Sequence, residues 1–417
     1  MRYGVHSEVG TLRTVLVCRP GLAHLRLTPG NCRALLFDEV LWVERAQRDH
    51  AQFVREMTAR GVEVLEVHEL LAQTLDRPEA KRWLLERKIV ANTAGLGLID
   101  DLRAALAELP HARLAELLIG GMTKADLPSK PAGLLAAYLE LNDFVLPPLP
   151  NALFTRDTSC WIGDGVCLDS LYWPARRSET LLMTTVYRFH PRFENAGFRT
   201  WWGDPLVDHD LATLEGGDVM AIGNGVVLVG MGERTSAQAV VQLAHVLLGN
   251  GAATSVIAAQ LPRANAATHL DSVFTQCAPD VVTYRPDVVD QITCLELRLS
   301  SHGQDLQVHS HAGKHLLDVL AETLEVPTLR AIAAGVGSYG AGREQWDNGN
   351  SVLALAPGTV IAYDRNVATN KRLRQAGIEV IEIPGAELAR AGGVHAMGCP
   401  VAREAVSYRQ RAQQDAA

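Results

Sequence analysis

The chain has 417 residues, of which 47% are hydrophobic and 21% are charged, so it is long enough to bury a large core in one to three domains. Its formal net charge of -8 at pH 7 offers no basic footprint, so we predict neither a nucleic acid nor a membrane as its partner. No secretory signal and no apolar run of about 20 residues is evident, which predicts a cytoplasmic protein.

A loose repeat runs along the chain, in which a polar motif precedes two short apolar runs joined by a turn. A degenerate copy begins at residue 7, and clearer copies begin at residues 151, 215, 269 and 347. Runs such as VVLVGM, with GNG, GDG or APG turns, predict a β-hairpin in each copy. A helical stretch and a further strand, such as IEVIEI, complete the unit. The pattern predicts an α/β fold of about five ββαβ units in a closed ring, with the polar motifs facing inward.

Residues 70 to 145 interrupt this repeat. They are rich in Leu, Ala, Arg and Glu, and their apolar positions recur at spacings of three and four. Such spacing predicts an all-helical insertion of four or five helices. Nothing in it suggests a site, so we expect it to serve packing and contacts in a homo-oligomer. Residues 1 to 417 are therefore predicted to form a single catalytic domain that contains this insertion.

The polar residues at the starts of the repeats are the candidates for chemistry. They are Asn151, Asp157, Glu215, Asp218, His269, Asp271, Asp347, Asn348 and Asn350. His269 and Asp271 stand at positions i and i+2, so in a strand both side chains would enter one pocket. With Asp157 and Glu215 added, three carboxylates would repel one another unless a cation enters.

Two kinds of cation would satisfy such a pocket. A metal ion needs at least three ligands, which His269, Asp271 and Glu215 could supply. A planar guanidinium presents five N–H donors in a fixed fork that two carboxylates can grip from opposite sides. From the residues alone, a guanidinium is only slightly favoured over a metal ion. The alternative without a ligand is that these residues are solvated caps of the hairpins.

Several motifs in combination resemble one enzyme family, the arginine deiminases of the guanidino-group-modifying or pentein superfamily. They are PLPNALFTRD, LEGGDV, GMGERT, THLDSVF, REQWDNGN, the segment from 31 to 50, and the terminal GGVHAMGCP. The resemblance covers essentially the whole chain and implies a five-bladed ββαβ propeller, the pentein fold, with the helical insertion of bacterial members. It also implies hydrolysis of L-arginine to L-citrulline and ammonia through a covalent amidino-cysteine intermediate.

The resemblance implies catalytic roles for four of the polar residues. Asp157 and Asp271 would grip the guanidinium nitrogens of the substrate. His269, with Glu215 nearby, would protonate the leaving ammonia and then activate the water that resolves the intermediate.

The resemblance further implies a binding role for Asn151, Arg176 and Arg234 at the amino-acid end of the substrate, with arginine forks for the α-carboxylate. In the glycine-rich segment near the C-terminus, Ala391 stands where the family has an arginine. The neighbouring Arg390 is the candidate replacement.

The family's nucleophile is a cysteine directly after the position that His395 matches, and this chain has Ala396 there. A methyl group has no lone pair and no ionisable proton, so covalent attack cannot start from it. Cys399 lies about 10 Å farther along an extended loop, so we do not expect it to substitute. Three hypotheses follow: a substrate-trapping or inactive arginine deiminase, a natural pseudoenzyme that binds arginine or another guanidino compound, and an enzyme that modifies guanidines without covalent catalysis.

No cofactor is predicted from the motifs. The GDG, GNG and GMG runs are interpreted as hairpin turns, because none opens a helix after a strand at the spacing of a phosphate loop. The seven cysteines include no CxxC pair and predict neither a disulfide framework nor a zinc site. We therefore predict no metal, nucleotide or flavin.

Overall fold

Short strands alternate with helices along most of the chain. The computed structural model describes residues 3–127, 134–262, 267–300, 305–406 and 408. Its strands are β1 (Leu12–Val17), β2 (Glu63–Glu66), β3 (Met122–Thr123), β4 (Phe144–Leu146), β5 (Ser159–Ile162), β6 (Gly165–Leu168), β7 (Arg199–Trp202), β8 (Val219–Gly223), β9 (Val226–Met231), β10 (Ser255–Gln260), β11 (Phe274–Ala278), β12 (Val281–Tyr284), β13 (Thr293–Leu299), β14 (Leu306–Ser310), β15 (Arg330–Ala333), β16 (Leu353–Ala356), β17 (Thr359–Tyr363), β18 (Glu379–Ile383) and β19 (Cys399–Arg403).

The helices fall between these strands and within the insertion. They are α1 (Leu22–Leu25), α2 (Val43–Thr58), α3 (Val67–Leu75), α4 (Pro78–Lys88), α5 (Ala91–Ala94), α6 (Ile99–Ala107), α7 (His111–Gly120), α8 (Leu134–Tyr138), α9 (Thr155–Thr158), α10 (Arg177–Phe189), α11 (Ala237–Gly249), α12 (Pro286–Val289), α13 (Leu316–Leu324), α14 (Gly337–Trp346), α15 (Val367–Gln375) and α16 (Leu388–Ala391). Within the described ranges, none of them combines the length and apolarity that crossing a membrane requires.

One connection pattern recurs in five groups of strands of the described chain: an antiparallel pair, and then a third strand parallel to the second. The groups are β19-β1-β2, β5-β6-β7, β8-β9-β10, β11-β12-β15 and β16-β17-β18. In the first group the antiparallel partner is the C-terminal strand β19, so both ends of the chain meet in one unit. The predicted mixed α/β class is confirmed.

Neighbouring groups contact one another in a consistent order. Strand β19 contacts β5, β5 contacts β8, the turn at 216–218 contacts the turn at 270–272, β11 contacts β16, and β16 contacts β1. This order is the one that a closed ring of units requires. The propeller geometry itself stays a prediction.

The third group shows why these residues fold locally as they do. Asn224 and Gly225 have φ angles of 51° and 75°, the left-handed conformations that a tight hairpin turn between β8 and β9 demands. Ser236 then caps α11 by accepting a hydrogen bond from the backbone N–H of Ala239. The helix buries an apolar stripe that includes Val240 and Leu243 against its sheet.

The stretch from 70 to 145 contains α4 to α8 and most of α3. Its leucines share one hydrophobic cluster with Val186 and Tyr187 of α10, so the insertion packs directly on the second unit. It also holds the short antiparallel pair β3 and β4, which the all-helical expectation did not include. Gly121, with a φ of 79°, ends α7 and turns the chain into β3.

Gly203 follows β7 in a left-handed conformation with a φ of 84° and lies against β6. A Cβ atom there would stand 1.8 Å from the carbonyl oxygen of Leu168. Strain and overpacking together should make Gly203→Ala lower the free energy of unfolding by about 3 kcal/mol. Gly197 has a φ of 74° but no atom within 4 Å of such a Cβ, so Gly197→Ala should cost only about 1 kcal/mol. Urea denaturation of both variants measures the difference, and equal losses would contradict the close approach.

Candidate active site

A cavity of about 1010 Å³ opens where the polar motifs of different units meet. Its wall includes most of the predicted site residues: Asn151, Asp157, Arg176, Arg234, His269, Asp271 and Ala396. Glu215 is fully buried behind His269 and does not reach the wall. The structure therefore brings together residues that are spread over more than half of the chain.

Short turns at the starts of the strands position these side chains. Asp157 lies in α9, Glu215 directly precedes the turn at 216–218, and His269 directly precedes the turn at 270–272. The glycines between Glu215 and Asp218 permit a close approach, because a Cβ on Gly217 would lie 2.9 Å from Asp157 Oδ1 and 3.0 Å from His269 Cγ. The backbone N–H of Gly217 instead donates to Asp157 Oδ1 at 3.2 Å. A side chain at position 217 would therefore crowd Asp157 and His269, so the site requires glycine there.

His269 and Glu215 form a buried ion pair. His269 Nε2 lies 2.7 Å from Glu215 Oε2 and 4.0 Å from Asp157 Oδ1. Burial opposes the charge of the imidazole, but Asp157 and Glu215 outweigh it and raise the pKa of His269 to about 9. Burial likewise opposes the charge of Glu215, yet His269, Arg176 and Arg234 hold the pKa of its carboxyl well below the usual range. The pair is therefore ionised at neutral pH, which suits His269 to donating a proton.

Arg176 lies inside the carboxylate cluster and is only 1% exposed. Its Nη1 is 2.9 Å from Asp157 Oδ2 and 3.5 Å from Glu215 Oε2, while Nη2 lies 3.0 Å from Glu179 Oε2. The chain thus supplies one guanidinium to the carboxylates that were expected to need an outside cation. Its implied role at a substrate carboxylate stays a prediction.

Glu179 is a member of the cluster that the sequence interpretation missed. Burial raises its pKa to about 7, even though Arg176 opposes this shift. The available signal was the spacing of Arg176 and Glu179 at i and i+3 near the start of α10.

The cluster fits guanidinium chemistry better than metal binding. Oxygen and nitrogen atoms of Asp157, Glu215 and His269 do lie within 4.8 Å of one another, as metal ligands would. However, Glu215 Oε2 already faces the imidazolium of His269, Arg176 at 3.5 Å and Arg234 at 3.2 Å. Glu215 Oε2 is therefore already engaged, and a divalent metal ion would meet about twice the Coulomb repulsion that a singly charged guanidinium meets beside these three positive charges.

Asp271 is held by a buried chain of charges that the sequence interpretation did not anticipate. Its Oδ2 lies 2.9 Å from His395 Nδ1, and the other ring nitrogen of His395 lies 3.4 Å from Glu8. Glu8 in turn pairs with Arg156 at 2.7 Å. Burial and Arg156 oppose the charge of His395, but Asp271 and Glu8 raise its pKa. In the sequence, Arg156 lies within the motif PLPNALFTRD and Glu8 lies within the degenerate repeat copy that begins at residue 7, but nothing there pairs them.

Four other candidates have different surroundings. Asp218 is fully buried and accepts hydrogen bonds from Thr235 Oγ1 at 2.6 Å and from the backbone N–H of Leu270 at 2.8 Å, so it supports the His269 turn. The remaining three come from the last repeat: Asp347 pairs with Arg365, Asn350 bonds Thr283 and Gln345, and Asn348 lines the cavity.

Ala396 reaches the cavity wall, and Cys399 does not. Cys399 is fully buried as the first residue of β19, and its thiol donates to the carbonyl oxygen of Ser159 at 3.0 Å. Burial raises the pKa of this thiol to about 12, which keeps it protonated. Arg390 and Ala391 also line the cavity, and Arg390 pairs with Glu39 at 3.1 Å.

The raised pKa of His269 predicts a pH dependence of stability. Because the folded-state pKa is about 9 and the ordinary value is 6.5, its contribution is complete below about pH 6.5 and is lost as the pH rises through 9. We expect a loss on the order of 3 kcal/mol across this window. Chemical denaturation between about pH 6 and pH 10 measures it, with His269→Asn as the control. If the free energy of unfolding changed with pH in the same way in both proteins, the raised pKa of His269 would be contradicted.

Comparisons with known proteins show the family of the chain and its fold. The model of the family described as arginine deiminase matches residues 33–403. SxtG, an amidinotransferase from Microseira wollei, has a TM-score of 0.57 at 13% identity, over 97% of this chain and 98% of that one. A cysteine-to-alanine mutant of AgrE solved with L-arginine has a TM-score of 0.54 at 15% identity, over 95% of this chain and 40% of that one.

A further structural relative is DDAH from Pseudomonas aeruginosa, solved as a cysteine-to-serine mutant with citrulline. It has a TM-score of 0.50 at 14% identity, over 93% of this chain and 99% of that one. Identities this low show the fold alone, which is that of the pentein superfamily. The family match, in contrast, spans most of the sequence, so the chain belongs to the arginine deiminase family.

Proposed function

We propose that this chain binds L-arginine, or a closely related guanidino compound, in the cavity without hydrolysing it through a covalent intermediate. The observation that carries the proposal is Ala396 on the wall of a cavity that also presents Asp157, His269 and Asp271. At the family level, the chemistry is the hydrolysis or transfer of guanidino groups. The surroundings for binding a guanidinium are thus present, and the atom that would attack its carbon is missing.

The carboxylates supply the binding chemistry. Asp271 is oriented by His395, and Asp157 is oriented by Gly217 and Arg176, so both are held before any ligand arrives. Pre-organised carboxylates lose little freedom when they form charge-assisted hydrogen bonds with a guanidinium. Arg234 lines the cavity and its buried Nε has no partner in the described part of the chain, which suits it to an anionic group of the ligand.

The covalent route stops at its first step in this chain. In that route a thiolate forms a bond to the guanidinium carbon, and the departing ammonia takes a proton from the imidazolium. Ala396 cannot form the bond, so His269 keeps its proton.

A non-covalent hydrolase is the second candidate, because the His269 and Glu215 pair is intact. Direct attack by water would need His269 to accept a proton. Its pKa of about 9 leaves it protonated at neutral pH, so this route is disfavoured there.

Calorimetric titration tests the proposal with ligands that differ by one group. L-Arginine should bind, and L-ornithine, which has the same amino-acid end but no guanidinium, should bind at least about tenfold more weakly. Asp271→Asn should weaken L-arginine binding by a similar factor, while Asp318→Asn on the exposed face of α13 should leave it unchanged. Equal affinity for arginine and ornithine would overturn the guanidinium assignment. The cytoplasmic location and homo-oligomeric state remain parts of the same proposal.

A further inference from the structure

Two thiols and one carboxyl group, all buried, lie close together at the β5–β6 hairpin. Cys160 and Cys167 are direct cross-strand partners, and Asp169 lies two residues beyond Cys167. Each is at most 1% exposed. The sulfur atoms and a carboxylate oxygen lie within 4.8 Å of one another, and Cys160 Sγ is 3.8 Å from Asp169 Oδ1. These residues lie outside the wall of the large cavity.

The cluster leaves one oxygen unsatisfied. Asp169 Oδ2 is buried and has no hydrogen-bond partner among the described residues. Burial raises the pKa of Asp169 well above its ordinary value, and the hydrogen bond with Cys167 and burial do the same for Cys160. An unpaired buried carboxyl oxygen costs about 1–3 kcal/mol, so the cluster as it stands lacks a partner.

We propose that Cys160, Cys167 and Asp169 form a binding site for a thiophilic divalent cation, with Zn²⁺ as the first candidate. Thiolates favour soft or borderline ions, and cysteine and aspartate are both zinc ligands. With Zn–S of about 2.3 Å and Zn–O of about 2.1 Å, tetrahedral ligands stand about 3.6 Å apart. The observed 3.8 Å between Cys160 Sγ and Asp169 Oδ1 therefore needs little movement.

The charges around the cluster fit this assignment. In the bound form the ligands are two thiolates and one carboxylate, so the site with a divalent ion carries one net negative charge. The buried guanidinium of Arg156 interacts electrostatically with Cys160, so a positive group is present near that charge. Arg156 also pairs with Glu8, and this pairing limits its repulsion of the entering ion.

A second cavity borders the cluster at Asp169. It has a volume of about 270 Å³ and is lined by Asp169 together with Leu168, Ser170 and Thr180, whereas Cys160 and Cys167 do not line it. An ion would therefore enter from the side of Asp169, and a water molecule from this cavity would complete the tetrahedral set of three protein ligands. The bound ion would link the hairpin to the segment that leads to Arg176 and α10.

Metal analysis of the full chain tests the site independently of arginine binding. The untagged protein is loaded with Zn²⁺ or Co²⁺ and dialysed, and its metal content is then measured by elemental mass spectrometry. We expect one ion per chain, and for Co²⁺ a thiolate-to-cobalt charge-transfer absorption. Cys167→Ser and Asp169→Asn should each lower the bound fraction at least about tenfold. Cys277→Ser changes a buried thiol of β11 in a different cluster and should retain the ion.

Other results would overturn the site. They are the absence of tightly bound metal in the unaltered chain, full retention after Cys167→Ser, and loss only in His269→Asn, which would place the ion in the large cavity. A mass deficit of two hydrogens in the unreduced protein, with no bound metal, would assign the two thiols to a disulfide instead. If Cys167→Ser does not fold, the nearly isosteric Asp169→Asn gives the same readout.

Discussion

Ala396→Cys should release citrulline and ammonia from L-arginine, with a rate at least about 10⁴-fold above that of the unaltered chain. The size follows from the losses of that order or more that hydrolases show when a covalent nucleophile is removed. The new thiol would share the cavity with the imidazolium of His269, whose positive charge favours the thiolate. The intact His269 and Glu215 pair would then protonate the departing ammonia.

The control for this variant is Ala396→Ser, which adds a polar atom of similar size but a far weaker nucleophile. It should leave the chain inactive while L-arginine still binds. Binding of L-arginine without turnover in Ala396→Cys would mean that the departure at Ala391, and not the missing sulfur alone, limits the reaction. Citrulline release is measured by a coupled ammonia assay and by chromatography.

Glu8→Ala should lower the free energy of unfolding by about 3–5 kcal/mol. Glu8 is 3% exposed and contacts Arg156 at 2.7 Å, so its removal leaves a buried guanidinium without its carboxylate. His395 loses a partner at the same time, and the support of Asp271 weakens. Arginine binding should therefore fall together with stability.

An exposed ion pair provides the matched control. Glu404 pairs with Arg13 on the surface, where the two side chains are about half exposed. Glu404→Ala should cost far less than Glu8→Ala, because solvent screens the pair. Urea denaturation of both variants at one pH and ionic strength compares them. Similar losses for the two would show that the buried chain of charges contributes no more than a surface contact.

The repeat in the sequence accounts for the mixed strands and helices, and for the convergence of the candidate residues on one cavity, for one physical reason. Each unit places its polar start at the same end of a hairpin, so residues as distant as Asp157 and Asp271 meet when the units pack together. The mixed α/β class is confirmed. The antiparallel pair β3 and β4 was not predicted, because the surrounding residues have helical spacing. Two strands of two and three residues are too short to show an alternating pattern.

The charge network could not be predicted because its contacts have no local period. Glu8 meets Arg156 across 148 positions and meets His395 across 387. The contact between Arg176 and Asp157 likewise depends on the path of the loop before α10. The sequence alone indicated only buried thiols at Cys160 and Cys167. The register of the hairpin makes them cross-strand neighbours. Such contacts arise from tertiary packing rather than from spacing.

One calorimetric experiment tests the central claim most directly. L-Arginine is titrated into the unaltered chain at neutral pH, and the same sample is then analysed for citrulline and ammonia. A saturable heat of binding with one site per chain, and no citrulline after prolonged incubation, is the predicted result. Citrulline formation by the unaltered chain, or no binding of L-arginine at all, would contradict a guanidinium site that lacks only its nucleophile.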